Sequence, residues 1–243
     1  MNFRFLYRCL KARIRDQRHE LKALSNHLGS NHLAVDVGAN KGSYLLSMSK
    51  AVKEGGVVAF EPQPILADYL RRVVRDLRPS NVTIENMGVS SVMGVMDLNI
   101  PGSVATSPSA SFEKSVHSDN EFQSYEVSVT TLDDYFAKIT QQLGAIKIDV
   151  EGHELSVLQG AEEIIKHHSP LIICESESRH LPNGDVNESL EYFREIGYGG
   201  FFVHPRKGLI DLDRFLPRIH QRQEGERFWD SRDYCNNFIL NRR

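Results

Sequence analysis

The chain has 243 residues, of which 40% are hydrophobic and 25% are charged, and its formal net charge is −3. This composition is typical of a globular protein with an apolar core. The small negative charge argues against a general nucleic-acid-binding surface, which needs a basic face to displace counterions. No run in the sequence approaches the ~20 apolar residues that a membrane-spanning helix needs.

The number and spacing of the cysteines indicate the redox environment of the protein. Cys9, Cys174 and Cys235 are far apart and form no CxxC pair. This spacing offers neither a disulfide framework nor a zinc knuckle, so the reducing cytoplasm is the predicted location.

Residues 1–29 are predicted to form an amphipathic basic helix. Apolar residues recur there at three- and four-residue steps, interrupted by seven Lys and Arg side chains. The apolar positions are Phe3, Leu6, Leu10, Ile14, Leu21, Leu24 and Leu28. We favour packing of this helix on the domain or on a partner subunit. Peripheral contact with an anionic membrane is the alternative.

Residues 30–243 are predicted to form one α/β domain. Apolar strand-like stretches at 32–38, 57–62, 145–152 and 170–177 alternate with helix-like stretches. This alternation indicates a doubly wound, mostly parallel, Rossmann-like sheet. The Ser-, Pro- and Gly-rich segment 101–112 has the composition of a loop, serving either as a lid over a substrate or as a solvated connection.

The segment "AVDVGANKGSY" predicts a ligand site at the end of the first strand. Four residues are candidates for it: Asp36, Gly38, Asn40 and Gly42. In doubly wound sheets the ligand lies beyond the carboxyl ends of the strands. Glu61 ends the next strand, at an offset suited to accepting hydrogen bonds from ribose hydroxyls. A nucleoside-bearing ligand is therefore predicted.

The loop chemistry favours S-adenosyl-L-methionine over a dinucleotide. The loop lacks the G-x-G-x-x-G pattern that holds a pyrophosphate. Asp36 suits the positive amino group of a methionine moiety better than it suits a phosphate. The alternative is that loop N–H groups satisfy the Asp36 carboxylate.

Five segments, taken in order, resemble the FkbM family of S-adenosylmethionine-dependent methyltransferases. They are "VDVGANKGSY", "VVAFEPQP", "NVTIENMGV", "VTTLDDYF" and "IKIDVEGHELSVLQGA". The resemblance implies the class I methyltransferase fold, a seven-stranded sheet whose last strand is antiparallel. It implies methylation of a hydroxyl on a small molecule or sugar of natural-product or polysaccharide type. It also implies that Asn86 and Gly88 lie near the adenine, the alternative being a simple turn.

The second predicted site is "IKIDVEGHE". A central parallel strand normally consists of apolar residues, and burying charged ones costs several kcal/mol unless they are paired or used. Here Lys147, Asp149 and Glu151 interrupt the strand, although Lys147 could simply neutralise a neighbouring acid. A hydroxyl acceptor needs help in losing its proton, and the candidate bases are Glu151, His153 and Glu175. The alternative is Mg²⁺ on Asp149 and Glu175, which would lower the hydroxyl pKa.

The sequence thus predicts an S-adenosylmethionine-dependent O-methyltransferase. One rival is an NAD-linked oxidoreductase or sugar-nucleotide enzyme, which the missing G-x-G-x-x-G weakens. The other is a non-catalytic ligand-binding scaffold. No nucleic-acid partner is expected. The acceptor, the metal dependence and the oligomeric state are left open, and a homo-oligomer is compatible with the sequence.

Overall fold

The first strand of the chain, Leu33–Val37, is buried on both faces of a sheet. The computed structural model describes residues 3–102, 104–113, 122–181 and 183–243. In these ranges the strands are β1 Leu33–Val37, β2 Gly56–Phe60, β3 Val82–Glu85, β4 Gly88–Val89, β5 Gly94–Pro101, β6 Phe122–Thr130, β7 Leu143–Ile148, β8 Leu171–Glu175, β9 Tyr198–His204, β10 Gly208–Asp211 and β11 Asn237–Arg242. The α-helices are α1 Phe3–Lys11, α2 Arg18–His27, α3 Leu45–Ala51, α4 Pro64–Leu77, α5 Leu132–Tyr135, α6 Glu154–Gln159, α7 Glu162–His168, α8 Asn187–Glu195 and α9 Pro217–His220.

The main sheet has the order β10-β9-β11-β8-β7-β1-β2-β3. Neighbours from β8 to β3 run parallel, whereas β11 is antiparallel to both β8 and β9. The mostly parallel sheet and the antiparallel last strand are thus confirmed. The predicted count of seven strands is wrong, because the chain turns back after β9 and adds β10 at the edge. Gly208 permits that turn, since its φ of +75° lies in the left-handed region.

Two apolar layers cover the sheet, one on each face. Ala34 belongs to the layer formed with helices α1 to α4, and Val35 and Val37 belong to the layer formed with α5 to α8. Side chains alternate between the faces of a strand, so a strand covered by helices on both sides is apolar throughout. The doubly wound α/β architecture is therefore confirmed.

A second, smaller sheet has the order β4-β6-β5. The predicted strand over 81–89 divides, because β3 joins the main sheet whereas β4 pairs with β6. An isolated bridge between Asn99 of β5 and Ser111 attaches the Ser-rich segment to this sheet. This bridge holds Ser111 against β5 of the second sheet.

The N-terminal segment packs on the domain through an unexpected face. A π-helical turn, Ala12–Asp16, separates α1 from α2. The side chains buried in the first half are Phe5, Cys9 and Ala12, whereas Leu10 and Ile14 of the predicted apolar set are exposed. In the second half, Leu21, Leu24 and Leu28 are buried as an amphipathic pattern would require. Among the described helices, none combines the length and apolarity needed to cross a bilayer.

Candidate active site

A cavity of about 290 Å³ lies at the carboxyl ends of the central strands. Gly38 follows β1, Glu61 follows β2, Asp149 follows β7 and Glu175 ends β8, and all four line the cavity. The predicted site residues that it brings together are Gly38, Asn40, Glu61, Asp149, Glu151 and Glu175. Part of the Ser-rich segment closes one side through Pro108, Ala110, Ser111 and Phe112.

The loop after β1 needs glycine at positions 38 and 42, because there is no room for a Cβ atom there. Gly38, Asn40 and Gly42 all have positive φ angles, of +76°, +48° and +77°. A Cβ on Gly38 would lie 1.9 Å from the carbonyl oxygen of Asp149, so any other residue would separate the ends of β1 and β7. Gly42 faces the core instead, where a Cβ would meet the side chains of Leu45, Leu70 and Phe5.

Glu61 fastens this loop to the end of β2. Its Oε2 accepts a hydrogen bond of 2.7 Å from the Asn40 N–H, and its Oε1 accepts one of 2.9 Å from the Gln63 N–H. The side chain is only 2% exposed. Burial raises the pKa of Glu61 to about 7, although the two backbone donors oppose the rise. This carboxyl group can therefore change its charge near neutral pH.

Lys147 lies beneath the cavity between two acids. Its Nζ is 3.2 Å from Asp149 Oδ2 and 3.4 Å from Asp36 Oδ1, and it donates a 3.1 Å hydrogen bond to the Gly38 carbonyl. Asp36 itself is 1% exposed and does not line the cavity. Burial raises the pKa of Asp36, with Lys147 opposing the rise. The structure thus places Asp36 behind Lys147.

The other two acids of the cavity have neighbours of their own. Glu151 Oε2 lies 2.7 Å from Nδ1 of His180, and Glu175 Oε1 accepts a 2.7 Å hydrogen bond from the Asn236 amide. Burial raises the pKa of Glu151, against the effect of His180. Burial and the nearby Asp149 raise the pKa of Glu175. Burial alone would lower the pKa of His180, but the Glu151 carboxylate outweighs it and raises that pKa.

Three other predicted site residues lie behind the lining. The His153 ring is buried, with Nδ1 2.7 Å from Glu113 Oε1 and Nε2 2.9 Å from Ser90 Oγ. The Asn86 amide donates to the carbonyl oxygens of Glu61 and Pro62, at 3.0 and 3.1 Å. Gly88 packs against Phe112, whose ring a Cβ would approach to 2.5 Å. His153, Asn86 and Gly88 thus support the residues that line the cavity and do not line it themselves.

The predicted magnesium ligands do not form a set suited to the ion. Asp149 already pairs with Lys147, and Glu175 accepts from Asn236. In the described ranges, no group of three or more His, Cys, Asp or Glu side chains is arranged to hold a metal. Mg²⁺ prefers several oxygen ligands in octahedral geometry, which a carboxylate occupied by an ammonium group does not supply.

Sequence reasoning missed the contacts that close the cavity. The Gln63 side chain donates to the Ser107 carbonyl and accepts from the Ser107 N–H, both at 2.9 Å. The Ser111 hydroxyl donates to the Glu151 carbonyl at 2.6 Å. These partners are 44 and 40 residues apart, so no local pattern could have predicted them. Gln63 is not among the predicted site residues, and its one local signal is that it lies two residues after Glu61.

Comparison with known proteins gives a consistent result. The model of the methyltransferase FkbM domain matches residues 36–199. The methyltransferase sdnD of Sordaria araneosa is 29% identical over 163 residues, covering 56% of this chain and 63% of that protein. The chain thus spans less than two thirds of the length of this curated relative.

Solved structures also resemble the chain. A methyltransferase FkbM from Methylobacillus flagellatus KT is 23% identical, with a TM-score of 0.49, over 70% of this chain and 38% of that one. A Streptococcus mutans protein, solved in complex with SAH, is 12% identical with a TM-score of 0.53, over 93% of this chain and 97% of that one. The second likeness confirms the class I methyltransferase fold. The family model matches well over half of the chain, and this match shows that the chain belongs to the methyltransferase FkbM domain family.

Proposed function

We propose that the chain transfers the methyl group of S-adenosyl-L-methionine to a hydroxyl of a small molecule or sugar. The observation that carries this proposal is the single cavity that joins Gly38, Asn40 and Glu61 to the carboxylates of Asp149, Glu151 and Glu175. The first three follow β1 and β2, where doubly wound sheets hold a nucleoside, and this supports the cofactor assignment. The acids line the same cavity, which supports giving one of them the acceptor proton.

The lining fits a cationic ligand. Four carboxylates line the cavity, from Glu61, Asp149, Glu151 and Glu175, against two cations, Arg8 and Lys41. When bound, S-adenosylmethionine supplies an electrophilic methyl group on a positively charged sulfur. Acidic side chains in a partly enclosed cavity attract a bound cation more strongly than they would in water. The cation in turn favours their charged forms, against the burial that raises the pKa values of Glu61, Glu151 and Glu175. Glu61 is positioned to accept hydrogen bonds from ribose hydroxyls.

Glu151 is the base that we assign to the acceptor hydroxyl. Glu151 lines the cavity. His180 holds its carboxylate through the 2.7 Å contact, and the Ser111 hydroxyl holds its backbone by donating to the Glu151 carbonyl. Its burial makes it a stronger base than a free carboxylate, because burial destabilises the anion. In such a transfer the methyl–sulfur bond would break as the oxygen–carbon bond forms, and S-adenosylhomocysteine would leave as a neutral thioether. Glu151 would take the hydroxyl proton, so its carboxylate would become a neutral acid.

The test is methyl transfer to a panel of sugars, polyols and phenols, with the product located by mass spectrometry and NMR. We expect an O-methyl product, and a loss of about 10²- to 10⁴-fold in kcat for Glu151→Gln. Binding of S-adenosylhomocysteine to Glu151→Gln should change by less than about threefold, because the variant keeps the shape of the cavity. Glu163→Gln, on the exposed surface of α7, is the matched control. A methyl group found on nitrogen or carbon would refute the hydroxyl acceptor.

A further inference from the structure

The segment formed by α1 and the π-helical turn Ala12–Asp16 has two apolar faces, and only one of them packs in the core. Phe5 and Cys9 are buried in the core. The second face follows the four- and three-residue steps that align side chains along a helix. Its members keep exposed fractions of 68, 68, 55 and 66%: Phe3, Tyr7, Leu10 and Ile14.

A groove of about 930 Å³ adjoins this second face. It lies between the α1–α2 segment and α3. Its apolar lining consists of Leu6, Leu10, Ile14, Leu21 and Leu46, with small residues between them. Its cations are Arg13, Arg18, Lys22 and Lys50, and no carboxylate is among the described residues that line it.

The acids of this segment do not offset those cations. Asp16 is paired with Lys11 at 3.0 Å and with Arg15 at 2.7 Å. Glu20 is 2% exposed and points into the protein. The π-helical turn contributes Arg13 and Ile14 to the groove, so a cation and an exposed apolar side chain adjoin at its rim.

We propose that this surface docks on an anionic lipid bilayer. The exposed stripe of Phe3, Tyr7, Leu10 and Ile14 enters the boundary between headgroups and acyl chains, and the groove cations hold lipid phosphates. Helices that lie in a membrane interface combine such an apolar stripe with flanking Lys and Arg. Each cation near an anionic membrane surface also adds a favourable interaction with the surface potential.

Charge complementarity favours the bilayer over other occupants. A second copy would bring an equally cationic surface against this one, and like charges repel. A soluble polyanion would satisfy the cations but would leave the aromatic and aliphatic stripe in water. A bilayer of anionic lipids satisfies both features at once.

Vesicle flotation with the full chain tests the proposal. We expect binding to vesicles of phosphatidylcholine with phosphatidylglycerol, little binding to pure phosphatidylcholine, and a decrease of binding with added salt. The variant Leu10→Glu and the variant Ile14→Glu should each weaken binding at least tenfold. Ile219→Glu is the matched control, because Ile219 is 54% exposed on α9, away from the groove. An unchanged melting temperature shows that each variant is folded.

Variants that remove cations test the electrostatic part of the proposal separately from the apolar stripe. The double variant Arg13→Gln/Lys22→Gln should lose binding to anionic vesicles, whereas Arg75→Gln on α4 should retain it. Failure to bind anionic vesicles, or equal binding by Ile14→Glu, overturns the proposal. So does a dimer that Leu10→Glu dissociates, which would assign the stripe to a second copy. Binding of soluble polyglutamate as tightly as vesicles would point to an acidic protein instead.

Discussion

The carboxylate of Glu61 lies 2.7 Å from the backbone nitrogen of Asn40 and thereby joins the end of β2 to the loop after β1. Asn40 adopts a positive φ of +48°, which most residues avoid. The hydrogen bond therefore helps to keep the loop in a conformation that the backbone alone would not favour. The same carboxylate lines the cavity, so the order of the loop and the binding of a ligand both depend on it.

The charge of Glu61 predicts how ligand affinity varies with pH. Its pKa is about 7, because burial raises it, with Lys147 lowering it and Asp36 raising it further. Hydroxyl donors of a ribose favour the charged form. Binding of S-adenosylhomocysteine should therefore weaken as pH falls below about 7, by up to about tenfold per unit.

The matched variant is Glu61→Gln, which keeps the side-chain shape without a titrating charge. Its affinity should be lower than that of the wild type at pH 8 and nearly constant from pH 6 to 8. Isothermal titration over that range measures both proteins. A pH slope that persists in Glu61→Gln would show that another group is responsible.

Removing Lys147 should destabilise the fold. The variant Lys147→Met leaves the buried Asp36 and the half-buried Asp149 without their cation. Breaking such an ion pair costs about 3 kcal/mol or more in the free energy of unfolding. Adding Asp36→Asn should restore part of that loss, because one uncompensated charge disappears. Lys53→Met, at an exposed position, should change stability by less than about 0.5 kcal/mol. Urea unfolding of the wild type and the three variants gives the comparison.

Replacing the buried Glu20 with Gln should stabilise the protein by an amount that depends on pH. Burial raises the pKa of Glu20 to about 7, from the ordinary value of 4.5 for a glutamate side chain. A carboxyl whose pKa is raised in the folded state carries no penalty below about pH 4.5, and the penalty grows as pH rises through 7. Glu20→Gln should therefore stabilise the protein by about 1 to 3 kcal/mol at pH 8 and by much less at pH 5. Glu191→Gln, exposed on α8, should show no such difference. Equal effects of Glu20→Gln at both pH values would contradict the account.

Metal removal should leave methyl transfer unchanged. Asp149 pairs with Lys147 and Glu175 accepts from Asn236, and within the described ranges no third His, Cys, Asp or Glu joins them in a metal-binding group. We expect the same kcat after treatment with EDTA and after addition of Mg²⁺. A loss of activity in EDTA that Mg²⁺ alone restores would reinstate the metal alternative.

Much of the architecture could be predicted, because it depends on local patterns. Apolar stretches ended by Asp36, Glu61 and Glu175 marked three strand ends, and the parallel sheet brings such ends to one edge. The edge strand β10 escaped prediction because "GLID" is short and half-exposed, and only its pairing with β9 defines it.

The site was less predictable, because its walls come from distant segments. His153 and Asn86 have the chemistry of site residues, but tertiary contacts draw both side chains away from the cavity. His180 and Asn236 have no sequence pattern of their own and reach the site through the fold. The prediction of which N-terminal side chains are buried was partly wrong for a related reason. The first helical segment has two apolar faces, and periodicity alone does not say which of them packs in the core.

The most direct test of the central proposal is calorimetric titration with S-adenosylhomocysteine and, separately, with NAD, for the wild type and Glu61→Ala. We predict binding of S-adenosylhomocysteine by the wild type and no response to NAD. Glu61→Ala should weaken S-adenosylhomocysteine binding by about 10- to 100-fold, because a charge-assisted hydrogen bond contributes about 1.5 to 3 kcal/mol. Binding of NAD alone, or of neither ligand, would contradict the assignment of this cavity to S-adenosylmethionine.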